Sequence, residues 1–290
     1  DQPITTAADS MHMLNYDAIT YHKTAVWMED LERSVGRGDF DRTMQEYFRR
    51  WAFRHPYPDD LREAFRQTNA AVADTTFALL SRTGPLDMNQ KLKPKILFGS
   101  VWKTDGQYRY TLLNPIAGYN LYDGLMPGLA VHNYSPPEAR FMYAAAGMYG
   151  IGSKRFTGIG RFSYAMFPSG PFRRIDMFLS GAHFSMDRYR DSTGRTWFQA
   201  FTKIAPGIRL ELRNKDMRSS LYRYLQYTVY SIHEDHLSFR RDSVTNMEIV
   251  GLKKDHFVLH QLMASWEDMR KLYPWRAEWK MEATRDIARI

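Results

Sequence analysis

The spacing of apolar residues changes once along the chain. Over residues 1–70 it follows a period near 3.6, the repeat of an amphipathic helix. After a lead-in rich in Thr, Ala, Asp and Ser, the stripe Ile19, Val26, Leu31 and Val35 predicts a first helix over 18–35, stopped at Gly36. Asp39 is placed to cap a second helix with Phe40, Met44, Tyr47 or Phe48, and Trp51 on one face, closed by His55-Pro56. Pro58-Asp59-Asp60 then opens a third short helix with Leu61, Ala64 and Phe65 inward. Three short helices on tight connections make a helical subdomain that is small for a core of its own.

From about Lys95 the period becomes two. Tyr108, Tyr110 and Leu112 alternate with Arg109 and Thr111, and Ile208, Leu210 and Leu212 with Arg209, Glu211 and Arg213. The cleanest case sets Trp275, Ala277, Trp279, Met281 and Ala283 against Arg276, Glu278, Lys280 and Glu282. Turn sequences recur between these runs: Tyr122-Asp123-Gly124, Gly152-Ser153-Lys154, Pro168-Ser169-Gly170, Asp191-Ser192-Thr193-Gly194 and Asn214-Lys215-Asp216. The expected fold class is therefore α+β. A helical subdomain occupies 1–70, a linker with the Gly84-Pro85 breaker occupies 71–94, and a long antiparallel meander occupies 95–290. The runs Arg155 to Phe167, Arg173 to Met186 and Leu221 to His233 exceed the usual strand length of about five or six residues. Long alternating strands with many aromatics are a weak sign of an outer-membrane β-barrel. A soluble sandwich or half-open barrel accepts the same alternation, because lipid and a protein core both take one apolar face.

Composition narrows the chemistry. Apolar residues make up 44% of the 290, enough for a core, and aromatics reach 14% with 18 tyrosines. The net charge of +8 is spread among acidic residues. That argues against a nucleic-acid surface and suits a basic protein or one facing anionic lipid. With no cysteine, disulfides, zinc–thiolate sites and thiol nucleophiles are excluded. No run of 18 apolar residues predicts a transmembrane helix. The chain begins at Asp1 with no signal peptide, and Glu282 to Ile290 reads as mid-strand, so the expectation is a segment of a longer polypeptide.

Several inviting patterns have plainer readings. His233-Glu234-Asp235-His236 is not the zinc-helix motif, whose histidines lie four apart on one helical face. Three apart in a strand, these two point to opposite faces. His256 and His260 share a strand face but have no carboxylate beside them there. Gly150, Gly152, Gly158 and Gly160 sit between alternating segments, so they read as a hairpin with close strand packing and not as a dinucleotide loop. Arg37-Gly38-Asp39 reads as a helix end, a turn and a cap. No recognition motif supports binding of single-stranded nucleic acid.

An ordered set of features in residues 3–67 changes the reading of the first helix. Pro3-Ile4-Thr5-Thr6 and a helix start with Tyr16 and Tyr21-His22-Lys23 precede Leu31-Glu32 and Gly36. Phe40, Tyr47-Phe48-Arg49-Arg50-Trp51-Ala52-Phe53 and Pro58-Asp59-Asp60-Leu61 with Phe65 follow. This order resembles the downstream part of the catalytic domain of M1-type zinc aminopeptidases, the gluzincins related to aminopeptidase N. The resemblance implies that Tyr21 faces a zinc site and donates its hydroxyl to the oxyanion formed when a peptide carbonyl is attacked. It makes Tyr16 a packing neighbour. The family's zinc ligands lie upstream of that tyrosine and have no counterpart in residues 1–290. The segment alone is then expected to hold no zinc and to be inactive, with zinc and peptide substrate belonging to the full-length protein. Asn114-Pro115-Ile116-Ala117-Gly118-Tyr119-Asn120, Gly152-Ser153-Lys154-Arg155 and Gly170-Pro171-Phe172-Arg173-Arg174 resemble strand-rich regions that follow the peptidase domain in some Bacteroidetes-like envelope proteins. This implies an outer-membrane barrel in a bacterial cell envelope, with lipid as partner. The alternative is a non-enzymatic envelope barrel or scaffold with a helical docking segment.

Overall fold

The computed structural model describes residues 2–6, 11, 13–84, 86, 93–99, 108–135, 138–168, 170–215, 219–243, 248–268, 270, 272–285 and 288–289. Pro85, Ser169, Asp216 and Ile290, named above in a breaker, two turns and the terminus, lie outside these residues. The chain divides into two compact units. One comprises Asp1–Lys93, Thr104–Tyr108 and Ser135–Ala139; the other comprises Pro94–Lys103, Arg109–Tyr134 and Arg140–Ile290.

The helical unit is more extensive than the three short helices expected. Helix α1 (Met13–Asp17) runs through a π-helical turn, Ala18–Lys23, into α2 (Thr24–Val35). Gly36, with φ +85°, ends α2 where a stop was expected. The π turn inserts one residue per turn and rotates the stripe. Ile19, Trp27 and Leu31 are buried in consequence, whereas Val26 faces outward. Helix α3 (Arg37–Trp51) begins two residues before Asp39, which therefore lies within its first turn instead of capping it. Phe40 and Met44 pack inward and Phe48 is exposed, so Tyr47 is the one on the inner side.

Helix α4 (Pro58–Ala78) opens at Pro58, where the Asp60 carboxylate accepts the Tyr57 amide at 2.7 Å. It is not short: after a break at Asn69, whose side chain accepts the Val72 amide, it continues to Ala78 and a 3₁₀ turn, Leu79–Ser81. Residues 71–81, expected as linker, are thus helical. They supply Ala73, Phe77 and Leu80 to the core formed with Trp27, Leu31 and Phe65. The Trp27 indole sits edge-on to Phe77, and its N–H donates to the Thr76 carbonyl at 2.8 Å.

The other unit is one antiparallel sheet whose eleven strands follow one another in sequence order. They are β1 (Lys93–Phe98), β2 (Tyr108–Asn120), β3 (Gly124–His132), β4 (Phe141–Gly150), β5 (Arg155–Met166) and β6 (Phe172–Arg190). Then come β7 (Thr196–Leu212), β8 (Leu221–Arg241), β9 (Glu248–Asp268), β10 (Trp275–Ala283) and β11 (Ala288–Arg289). The turns fall where the sequence placed them, but β6 and β8 run four and eight residues past their expected ends. Among the described residues no pairing joins β1 to β11, so the sheet is open.

Two aspartates organise turns. Asp191 accepts the Thr193 hydroxyl at 2.6 Å, the Trp197 indole N–H at 2.8 Å and the Arg195 amide at 3.0 Å. Those donors, Thr193 foremost and then Trp197, hold its carboxyl at about 2. Asp123, in the β2–β3 turn, is fully buried and reaches β6: it accepts the Ser185 hydroxyl at 2.6 Å and amide at 3.0 Å, and the Asn120 amide group at 2.7 Å. Gly150 and Gly152 in the β4–β5 hairpin allow this, since a Cβ on Gly150 would lie 2.9 Å from the Asp123 Cβ.

Candidate functional site

The π turn sets the orientation of the residues expected to carry chemistry. The Thr24 amide and hydroxyl both donate to the Ile19 carbonyl, the amide five residues along, which closes the wide turn. Ile19 is driven into the interior while Tyr21, 60% exposed, projects outward. Tyr16 meets the Tyr21 ring edge-on at 6.2 Å, the packing role expected of it. His22 is also outward, 3.6 Å from Asp17. Lys23 turns inward and donates to the Gln2 carbonyl at 3.3 Å and the Arg82 carbonyl at 3.2 Å. Burial, and then the Arg82 cation, bring its ammonium down to about 8. At the base of the turn Asn15, buried, donates to Gln2 Oε1 at 3.2 Å and accepts the Glu138 amide at 2.5 Å. A phenol held outward on such a turn is suited to donating a hydrogen bond to a developing negative charge.

Metal-ligating side chains do not cluster: among the described residues no group of three or more could hold an ion. His233 and His236 lie on opposite faces of β8, with His236 near Glu234 and Asp255 at 3.6 and 3.9 Å. His256 and His260 share a face of β9. The His256 ring stacks on His233 at 4.2 Å, and His260 is 2.7 Å from the Tyr227 hydroxyl. The zinc implied by the resemblance therefore has no fitting set of ligands among these residues.

The sheet presents a second candidate, its two faces. Register places Phe141, Tyr164, Met177, Ile208, Tyr227, Leu262 and Met281 at one level across seven consecutive strands. All are apolar or aromatic. One residue along each strand, on the opposite face, the level reads Asp176, Arg209, Gln226, Met263 and Lys280. Two residues further it reads Arg174, Glu211, Tyr224, Ser265 and Glu278.

Burial is inverted relative to a water-soluble sheet. The apolar face is the open one, with Tyr119, Leu129, Phe156, Tyr164, Met177, Leu179, Ile204 and Trp266 all exposed. The polar face holds most of the sheet's buried side chains, Glu211, Tyr224, Thr228 and Ser265 together with apolar ones such as Leu112, Met126, Met148 and Phe178. Its charges are partnered there. Glu211 accepts from Arg173 at 3.2 Å and from the Tyr222 hydroxyl at 2.7 Å, with the Arg173 guanidinium over the Tyr222 ring. Arg209 donates to Gln226 at 2.6 and 2.8 Å and lies 4.4 Å above Tyr224.

The alternation is encoded along each strand, whereas which face is open depends on partners far away in sequence. The chain matches no protein-family model, no curated protein and no solved structure.

Proposed function

We propose that the sheet is part of a lipid-facing wall, an arc of an outer-membrane-type β-barrel in a bacterial cell envelope. The observation that carries this reading is the inversion: an uncharged aromatic–aliphatic face lies open while Arg, Glu, Gln and Tyr fill the other face with mutual hydrogen bonds. Water penalises a continuous apolar surface of this extent, whereas lipid accepts it and the polar groups keep to the interior. Transfer of the chain between buffer, detergent micelles and lipid vesicles tests it. The expected outcome is β-type circular dichroism and a single folded species only with detergent or lipid. A monomeric, folded chain in buffer alone removes the membrane reading.

A second reading concerns the helical unit, and the outward Tyr21 on its π turn favours it. Here residues 1–70 form the downstream end of the catalytic domain of a membrane-associated M1-type aminopeptidase. Tyr21 donates to the oxyanion during hydrolysis of an N-terminal peptide bond. In this reading zinc would be held by residues outside this segment. Absence of a His-Glu-x-x-His helix with a later glutamate upstream of Asp1 removes this reading. A non-enzymatic envelope scaffold would then remain.

A further inference from the structure

One level of the apolar face breaks its own rule. His183 on β6 lies opposite Thr202 on β7, Thr202 opposite His233 on β8, and His233 opposite His256 on β9. The side chains engage along this row. His183 Nδ1 is 2.8 Å from Thr202 Oγ1, the His233 and His256 rings stack at 4.2 Å, and His256 Nε2 is 3.0 Å from Ser231 Oγ. On one side of the row the same face continues as Ile204, Val258 and Leu179. On the other, Asp235 stands opposite Lys254, while β6 and β7 carry the uncharged Ser185 and Ala200. His260, held by Tyr227, lies two pairs toward the apolar side.

The spacing of the row from the far aromatic rim is informative. His256 and Trp266 are ten residues apart on β9, about 33 Å along an extended strand. Tilted by about 40°, as barrel strands are, that span is roughly 25 Å high, the height of a lipid-facing apolar band. Beyond the row β6, β8 and β9 carry charged residues, among them Arg188, Asp235 and Lys254, so the row sits where acyl chains would give way to headgroups.

We propose that the row His183–Thr202–His233–His256 is a binding site for the phosphate of anionic lipid headgroups, at one rim of the lipid-facing band. The proposal rests on the membrane reading above. Imidazole and hydroxyl donors in one row match phosphate oxygens. The Lys254 ammonium, one level beyond the row, adds charge complementarity and Asp235 opposite it moderates it.

The test compares incorporation of the whole chain into phosphatidylcholine vesicles and into vesicles with roughly one-third phosphatidylglycerol. The expected result is a preference for the anionic vesicles of about fivefold. H183L/H233L/H256L should lose that preference while still inserting. If the triple variant does not fold, H183L alone should lose part of it. Insertion without preference, or a preference the variants leave unchanged, overturns the headgroup site and leaves the membrane reading standing. Full competition by free inorganic phosphate also overturns it, in favour of a soluble-anion site. Failure to insert into either vesicle overturns both readings.

Discussion

The Ser185 hydroxyl donates to the Asp123 carboxylate at 2.6 Å, joining a turn between β2 and β3 to the middle of β6 across 62 residues of sequence. Burial alone would raise this carboxyl. The hydroxyls of Ser153 and Ser185, the Asn120 side chain and the Ser185 amide outweigh it and hold the group below its usual range. Since the folded carboxyl is the stronger acid, its contribution is complete above the ordinary Asp value of about 4. It is lost as pH falls below that value toward the depressed one. Asp123→Ala strands two buried donors of Ser185 and should cost about 2–4 kcal/mol. Denaturant unfolding in detergent at neutral pH checks the cost, and the same titration near pH 3 should show a smaller difference between wild type and variant.

Adjacent residues on β6 separate the two faces. Leu179 is exposed on the apolar face, and Ser180, on the polar face, accepts from Arg161 at 3.2 Å. Leu179→Arg should cost about 2–4 kcal/mol of folding free energy in vesicles. Ser180→Glu, which gives Arg161 an acidic partner, should stay within about 1 kcal/mol. Equal costs at the two positions would mean that both faces meet the same solvent.

Under the peptidase reading, kinetics on an amino-acid anilide with a polypeptide that supplies the zinc site examine Tyr21. Removing an oxyanion donor lowers kcat by about 10²–10³. Tyr21→Phe should therefore lower kcat by that order and change KM little, because the ring and its contact with Tyr16 are retained. A variant with wild-type turnover would make Tyr21 a surface residue only.

Lys23 gives the helical unit a basic-pH response. Its ammonium sits at about 8 in the folded chain against 10.5 when free. Between those values the unfolded chain binds more protons, so stability rises with pH across that window. Hydrogen exchange of the α2 amides should slow, relative to the intrinsic rate, between about pH 8 and pH 10, and Lys23→Met should flatten the trend.

Phe65 is fully buried and touches Phe40 and Phe77. Phe65→Ala should cost about 3–5 kcal/mol, read as loss of α2 and α4 protection. If residues 71–81 were only a connection, the amides around Phe77 would show no change.

Much of this architecture is local in origin and was legible. The alternation from Trp275 to Ala283 marked β10, the Asp191–Gly194 turn marked the β6–β7 hairpin, and Gly36 marked the end of α2. What escaped depends on partners remote in sequence. The segment 71–81 looks like a connection until Ala73 and Phe77 meet Trp27. The π turn depends on a single bond pattern at Ile19 and Thr24, which composition does not encode. The row of His183, His233 and His256 exists only through the register of four strands; the sequence drew attention to His233 and His256 singly and to His183 not at all.

The sequential order of the sheet bears on how the chain folds. Every strand from β1 to β11 pairs with its immediate predecessor and successor, so no hairpin must wait for a distant segment. Closure entropy is met one short turn at a time, which favours assembly as a zipper over a late, global collapse. The Asp123–Ser185 contact is an exception, a clasp that can close only after β3, β4, β5 and β6 are aligned. Its loss should slow the final locking of that half of the sheet and leave the earlier hairpins untouched.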